Sequence, residues 1–273
     1  MELEDFAQDE LDSEGEAEAE TGNLSPIGTY QPGMNWNPVE KIILERRSTR
    51  AFKPEPLPDG MIRRILEAGR FAPSAGNTQP WKYIVVKSPE IIAEMEKDSV
   101  VFAKRIMSSL DYTQDPANSE LRARAKKVIK SQLNVLAPEP FIALQRIAAG
   151  KMSVFLNAPT LILILIDTRG AGEPKVDSGI AGENIVLAAH SMGAATCWIG
   201  VTSLLIHRMS SSARKWRRFF GIEFPYELLD VIALGWPKRR FDREVPREVQ
   251  LVSWYEGGMN DPPRIDRQGD EQP

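Results

Sequence analysis

The segment Ala72-Pro73-Ser74-Ala75-Gly76-Asn77-Thr78-Gln79-Pro80-Trp81-Lys82-Tyr83-Ile84-Val85-Val86 joins a polar loop directly to an apolar run. Pro, Ser, Gly and Asn are typical of loops and turns, whereas the aromatic and β-branched residues that follow are typical of strands. Small residues let a flat ligand approach the backbone, and the polar side chains offer hydrogen bonds to its edge. The segment therefore predicts a ligand-binding loop held above a buried strand.

A second segment, Arg46-Arg47-Ser48-Thr49-Arg50, places three guanidinium groups around a hydroxyl. A phosphomonoester carries close to two negative charges near pH 7, and Arg binds its oxygens with a planar fork of donors. Taken alone, the cluster is also explained as positive charge at the C-terminus of a helix. A phosphorylated ligand with a flat, polar ring would use both segments, and flavin mononucleotide (FMN) is such a ligand.

A third group of cations, Lys238-Arg239-Arg240 and Arg243, comes directly after a predicted strand. These side chains would complete a phosphate site if the strand ends near the first Arg cluster. The alternative is a solvated basic segment. The sequence does not separate Arg239, Arg240 and Arg243 as candidates.

Charge is unevenly distributed along the 273 residues. Residues 1–40 hold eleven acidic and no basic side chains, which leaves a mildly basic body suited to anionic ligands such as nucleotide cofactors. This excess is too small to indicate a nucleic-acid partner. The single cysteine, Cys197, excludes an internal disulfide, and the apolar run at 161–166 is too short for a membrane span. The N-terminus is acidic, unlike that of a signal peptide, so we expect a cytoplasmic protein.

The chain divides into three predicted regions. Residues 1–35 form a disordered acidic tail, 36–258 the folded domain and 259–273 a polar C-terminal tail. Helices are predicted around 39–43, after Asp59 as a cap and ending near Gly69, from Pro89 and over 178–192; strands are predicted at 81–86, 161–166, 196–200 and 228–234. The helical segment 98–157 would cover a ligand site, and its aromatic residues either stack on a substrate or pack inside: Phe102, Tyr112, Phe141 and Phe155. These elements favour an α+β fold with a mixed central sheet flanked by helices.

Together these segments resemble the nitroreductase family of flavoproteins over residues 36–258. The strongest matches are residues 46–52 and 72–81; weaker ones are 182–189, 193–200 with Cys197-Trp198, and Leu234-Gly235-Trp236-Pro237. One such segment would be weak support, but five in family order are specific to the family, though not to a substrate.

The resemblance implies a homodimer with two FMN molecules at its interface and an extended C-terminal arm that reaches the partner subunit. It assigns the phosphate and ribityl group to Arg46, Arg47 and Ser48, the pyrimidine edge to Arg50, and a basic C-terminal ligand to one of Arg239, Arg240 and Arg243. It assigns a contribution from the partner subunit to Pro73, Ser74, Ala75 and Asn77, and backbone contacts at the N5/O4 edge to Ser178 and Gly179. A guanidinium near that pyrimidine edge would stabilise the negative charge that reduction places on the ring.

The function implied is an FMN-dependent oxidoreductase that takes electrons from NADH or NADPH by a ping-pong scheme. The acceptor would be a nitroaromatic, a quinone or another electron-poor small molecule. The sequence contains neither a Ser/His/Asp arrangement nor a metal-ligand spacing, so the flavin would carry the chemistry. Two alternatives stay open: a specialised family reaction, such as reductive dehalogenation or flavin-consuming biosynthesis, and a flavin-binding protein without turnover.

Overall fold

A four-stranded antiparallel sheet forms the centre of the larger of two structural units in the computed structural model. The model describes residues 36–110, 139–200, 211–239, 251–259 and 261–267. The larger unit spans Asn37–Val245, and the smaller combines Met1–Trp36 with Pro246–Pro273. The sheet strands are β1 (Trp81–Val86), β2 (Thr160–Asp167), β3 (Ala195–Trp198) and β4 (Tyr226–Gly235), in the order β1-β2-β4-β3.

The inner strand β2 is buried along its length because helices cover both faces of the sheet. It pairs with β1 on one side and with β4 on the other, and a bulge lies between Ile164 and Leu165. A continuous apolar run is the pattern of a strand without a solvent-facing side, which confirms the prediction for residues 161–166.

Among the described residues, five helices cover the two faces of this sheet. Helices α2 (Asp59–Arg70) and α5 (Pro174–Ser191) pack Ile62, Ile65, Ile185 and Val186 against Ile162 and Ile164 on one face. Helices α3 (Pro89–Leu110), α4 (Glu139–Ala148) and α6 (Ser211–Phe219) cover the other, where the core includes Met95, Ala103, Ile147 and Trp216 with Leu161 and Leu163. The two faces therefore have separate hydrophobic cores.

The first helix, α1 (Pro38–Glu45), begins with a complete capping box. The side chain of Asn37 accepts from the backbone N–H groups of Val39 and Glu40, and the carboxylate of Glu40 accepts from the backbone N–H of Asn37. The expected cap of α2 was wrong: its N-cap is Pro58, and the carboxylate of Asp59 pairs with Lys87 at the end of β1 instead.

The segment after α1 joins the edge of the antiparallel sheet through isolated bridges. Ser48 forms a parallel bridge with Thr196 of β3, and Phe52 forms an antiparallel bridge with Pro237 just beyond β4. The predicted α+β class is thus confirmed, with the parallel component supplied by one bridge. The C-terminal arm that would reach a partner stays a prediction.

The smaller unit contains a two-stranded hairpin that the sequence did not predict as such. Strands β5 (Leu251–Trp254) and β6 (Arg264–Arg267) pair antiparallel, and the guanidinium of Arg264 lies 5.2 Å from the Trp254 ring centroid. The sequence indicated only an extended segment with an apolar patch, because the pairing depends on a partner strand ten residues away.

Helix α5 lies so close to the sheet that a side chain on Gly182 would collide with it. A methyl group built on Gly182 would be 2.5 Å from Cη2 of Trp198, whereas one built on Gly179, a turn earlier, meets nothing within 4 Å. We expect Gly182→Ala to lower the free energy of unfolding by about 1–3 kcal/mol through overpacking. The matched control Gly179→Ala should be neutral or raise it by up to about 1 kcal/mol, since Ala is the better helix former. Urea unfolding of the unliganded protein would measure both, and equal effects at the two positions would contradict this packing.

Candidate functional site

The chain after α1 is held along the sheet edge by three backbone hydrogen bonds. The N–H of Thr49 donates to the carbonyl of Thr196 at 2.9 Å, that of Lys53 to Trp236 at 2.8 Å, and that of Lys238 to Ala51 at 3.0 Å. The first Arg cluster therefore runs beside β3 and then beside the chain that leaves β4. Residues 147 to 187 positions apart in the sequence become backbone neighbours.

This pairing brings Arg50 and Arg239 together. Arg50 precedes Ala51 and Arg239 follows Lys238, so in this antiparallel pairing the two lie on the same side of the bonded pair. Both side chains are exposed. Within the described part of the chain, neither guanidinium has a hydrogen bond or ion pair. Two cations on paired backbone segments repel each other, and an anion between them would offset that repulsion.

Arg46 ends α1 and points toward α5. Its Nε lies 3.3 Å from Oε1 of Glu183, close enough for an ion pair but without the alignment of a hydrogen bond. The Nε atom is nevertheless buried, and buried donors are nearly always bonded. A ligand oxygen at this position would satisfy it. We call Arg46, Arg50 and Arg239 the cation cluster.

Arg47 has a different role from its neighbours. Its Nη1 donates to the backbone carbonyls of Leu44, at 2.5 Å, and Arg46, at 2.8 Å, so the guanidinium caps the C-terminus of α1. This is the geometry of the helix-terminus alternative, and the predicted contact of Arg47 with a phosphate stays a prediction. Ser48 is exposed beside the cluster, while Thr49 is buried.

The buried thiol of Cys197 lies within the electrostatic range of two cluster members. Burial raises the pKa of Cys197, and the charges of Arg50 and then Arg46 act in the opposite direction. Both guanidinium groups therefore lie near β3, as the backbone bonds require.

The polar loop forms a tight turn with an unusual backbone. Over residues 74–79 (the 74–79 turn), φ is positive at Gly76, at 58°, at Asn77, at 53°, and at Gln79, at 45°. Positive φ is uncommon for residues other than Gly and clusters at functional sites. The turn is closed by its own side chains: Ser74 Oγ accepts from Gln79 N–H at 2.9 Å, Thr78 Oγ1 donates to the carbonyl of Ala75 at 3.0 Å, and Gln79 Nε2 donates to Asn77 Oδ1 at 2.9 Å.

The 74–79 turn is attached to the start of α5. The N–H of Ala75 donates to Oδ2 of Asp177 at 3.1 Å, and a methyl group built on Gly172 would lie 2.8 Å from the Ala75 side chain. Gly172 also has a positive φ of 69°, so it suits this position in two respects. The turn is therefore fixed against helix α5 of its own chain. The contribution of Pro73, Ser74, Ala75 and Asn77 to the site of a partner subunit stays a prediction.

The two predicted residues of α5 point in different directions. The side chain of Ser178 is fully buried among core residues, and its hydroxyl has no hydrogen-bond partner among the described residues. Gly179 faces open space, one helical turn from Glu183 on the same side of the helix. From Asp177 to Glu183 is about 9 Å along the axis. Helix α5 thus spans the distance between the 74–79 turn and the cation cluster.

Several predicted residues lie outside this geometry. Arg240 and Arg243 fall outside the described residues, as do 111–138, with Tyr112, of the predicted covering segment. Phe155 is fully buried and Phe102 packs against the same core, so these two follow the packing alternative. The sequence analysis missed Thr78, Gln79 and Asp177. The first two stood in the quoted loop, but nothing local marked Asp177.

The described residues show no other type of site. None of their helices combines the length and apolar character that a membrane crossing needs. No three His, Cys, Asp or Glu side chains among them lie close enough together to hold a metal ion. The arrangement combines cations, an open helix face and a polar, strained turn, and these features suit a phosphorylated ligand with a flat ring.

Comparison with known proteins identifies the family of this chain. The sequence model of the Nitroreductase family matches residues 43–236. An NADH dehydrogenase of Thermus thermophilus is 30% identical over 47% of this chain and 68% of its own length. The iodotyrosine deiodinase of Drosophila melanogaster is 25% identical over 78% of this chain and 69% of its own. A crystal structure of a nitroreductase with bound FMN from Desulfitobacterium hafniense is 28% identical, covers 78% of this chain and 95% of its own, and superposes with a TM-score of 0.57.

Strand β4 carries a carboxylic acid beside the end of β3. Asp230 is half-buried on β4; its Oδ1 accepts from the N–H of Val231 at 2.8 Å, and its Oδ2 lies near Gly200. Burial raises the pKa of Asp230 to about 6, and the bond from Val231 acts in the opposite direction. The folded state therefore binds this proton more tightly than the unfolded state does.

The stabilising contribution of protonated Asp230 is complete below pH 4 and is lost as the pH rises through 6. We expect the free energy of unfolding of Asp230→Asn, relative to the wild type, to increase by about 2 kcal/mol between pH 4 and pH 8. Urea unfolding at intervals of pH would measure it. The matched control is Glu227→Gln, at an exposed position of the same strand. A difference at Asp230 that does not vary with pH would contradict the assignment.

Proposed function

This chain belongs to the nitroreductase family, and on that basis we propose that it is an FMN-dependent oxidoreductase. It passes electrons from NADH or NADPH, in a ping-pong scheme, to a nitroaromatic, a quinone or another electron-poor small molecule. The proposal is supported by the FMN-bound nitroreductase that this chain resembles and by its similarity to an NADH dehydrogenase. The proposed compartment is the cytoplasm, since the one cysteine is a free thiol.

The observation that carries the proposal is that the backbone pairing places Arg50 opposite Arg239. The sheet edge brings together two cations that have no described partner, and Arg46 adds a buried donor without an acceptor. A phosphate dianion matches both features, because it supplies the charge and several acceptor oxygens. We therefore propose that Arg50 contacts the phosphate, although the family resemblance implies the pyrimidine edge of the ring for this residue. A purely structural role would leave Arg50 and Arg239 without a described counter-charge and the Nε of Arg46 without a hydrogen bond.

The remaining residues suit a ring system. The open face of Gly179 leaves space for a flat group, and the 74–79 turn presents amide donors and acceptors at its edge. Bound FMN would supply the hydride-transfer chemistry. The protein would bind the phosphate through the cation cluster, orient the ring against α5 and set the charge around its polar edge.

We further propose that the protein is a homodimer. On α1 the exposed apolar residues Val39 and Ile43 are one turn apart, and on α5 Val176 and Ile180 repeat this spacing; Val39 is 64% exposed and Val176 58%. Within the described residues no strand pairs with the outer edge of β1. A second copy would cover the apolar residues, and a C-terminal arm would pair with this edge.

A second candidate, reductive dehalogenation of an aromatic substrate, is favoured by the similarity to an iodotyrosine deiodinase. To compare the two candidates, purified protein would be reconstituted with FMN and mixed anaerobically with NADH or NADPH. Bleaching of the flavin absorbance, followed by reoxidation with a nitroaromatic and parallel double-reciprocal plots, would support the first. Reoxidation by 3-iodotyrosine but not by nitroaromatics or quinones would support the second. Yellow protein that neither donor bleaches would indicate a flavin-binding protein instead.

The phosphate role predicts a difference between FMN and riboflavin, which lacks the phosphate. Arg46→Ala and Arg50→Ala should each lower FMN affinity by about 1–3 kcal/mol, the scale of a hydrogen bond to a charged group, and change riboflavin affinity much less. Quenching of flavin fluorescence would measure both. Arg64→Ala, an exposed position on α2, serves as the control and should bind both ligands like the wild type. Equal losses for FMN and riboflavin would contradict the phosphate role and assign that Arg to the ring.

A further inference from the structure

Asp177 has a buried carboxylate near the start of α5 that is not one of the proposed ligand contacts. Asp177 is 8% exposed, and its described hydrogen bond from another element comes from the N–H of Ala75. We propose that Asp177 is a positioning residue whose carboxylate fixes the 74–79 turn against α5, in the place from which Asn77 contacts the cofactor. This inference rests on the proposed binding of FMN.

The turn needs an external attachment because its internal bonds do not determine where it lies. The bonds among Ser74, Thr78 and Gln79 and the amide pair of Asn77 and Gln79 close the turn on itself. They would persist if the whole turn shifted as a body. The hydrogen bond from Ala75 to Asp177 crosses to a different element, 102 residues further along the chain.

The backbone of the turn gives a second reason. Asn77 and Gln79 have positive φ, a conformation that costs free energy and persists only where its surroundings enforce it. Their side chains, with that of Ala75, are exposed, so core packing does not enforce it. Because Gly172 has no side chain, Ala75 can pack against the backbone that precedes α5. The carboxylate of Asp177 and this contact together restrain the turn.

A simpler role for Asp177 would be to stabilise the first turn of α5 by its negative charge. The two roles make different demands on the side chain. The helix role requires the charge, whereas positioning requires an acceptor at Oδ. Asn keeps an acceptor of the same size and loses the charge, so Asp177→Asn separates the two roles and Asp177→Ala removes both.

The experiment measures two quantities on the full chain: the FMN dissociation constant, and hydrogen exchange of the Ala75 amide in the absence of flavin. Asp177→Ala should weaken FMN binding by about ten-fold or more and expose the Ala75 amide to exchange, because the donor loses its acceptor. Asp177→Asn should bind FMN within about three-fold of the wild type and keep the amide protected. The double variant Asp177→Ala/Asn77→Ala should lose less FMN affinity, as a fold-change, than the product of the two single-variant losses. Both substitutions act through the same contact.

A matched control distinguishes positioning from a general loss of stability. Glu96 also holds backbone with a carboxylate, accepting from the N–H groups of Val154 and Phe155, but on the opposite face of the sheet. Glu96→Ala should lower the free energy of unfolding and leave FMN affinity unchanged.

The outcomes separate this inference from the proposed function. Wild-type affinity in Asp177→Ala, or equal losses in the Ala and Asn variants, would overturn the positioning role while FMN binding by the wild type would stand. A wild-type protein that takes up no FMN would overturn the proposed function and the cofactor contact of Asn77. In that case, exchange at Ala75 would still decide whether Asp177 holds the turn.

Discussion

The site depends on the backbone pairing between the segment after α1 and the sheet edge. Hydrogen bonds from Thr49 to Thr196, from Lys53 to Trp236 and from Lys238 to Ala51 determine where the cations stand. None of these bonds involves a charged group, so the cluster is assembled by the peptide backbone and not by attraction between side chains. This matters because the charges oppose their own assembly. A sheet edge is rigid enough to hold like charges in adjacent positions, where a flexible loop would let them separate.

Helix α5 is the second constraint, and its small residues explain how one helix serves both the core and the site. Gly182 allows the helix to contact Trp198, which sets the distance between α5 and the sheet. Asp177 contacts the 74–79 turn, and Glu183 contacts Arg46. Gly179 lies between these two residues on the helix and leaves open space. Because a helix has a fixed rise per residue, the spacing between these two attachments is fixed as well. The separation of the turn from the cation cluster is therefore a property of the α5 sequence.

The sequence predicted those features that are determined locally. The apolar run of β2, the strand from Trp81 to Val86 and the α+β class follow from hydrophobic pattern and turn residues, and the structure confirms them. The contrast between Arg46 and Arg47 was not predictable, since adjacent identical side chains differ only in which carbonyls and carboxylates lie within reach. Asp177 was missed for the same reason: its partner, Ala75, is distant in the chain. Asp59 was misassigned because the presence of a capping residue type does not exclude a better partner elsewhere, here Lys87.

Three features of the site are unfavourable in the unliganded chain, and a phosphorylated ligand would relieve the two that concern charge and hydrogen bonding. The backbone of the 74–79 turn is strained, the Nε of Arg46 is a buried donor without an acceptor, and Arg50 lies beside Arg239. The free energy that holds these features comes from the packed sheet and helices, which have no part in the chemistry. Because the scaffold already bears these costs, a phosphorylated ring would satisfy the donor of Arg46 and offset the repulsion between Arg50 and Arg239, and it would find the turn already in place. Affinity would then reflect how rigidly β3, β4 and α5 are held, and substitutions in the core that loosen them would weaken binding without touching the ligand.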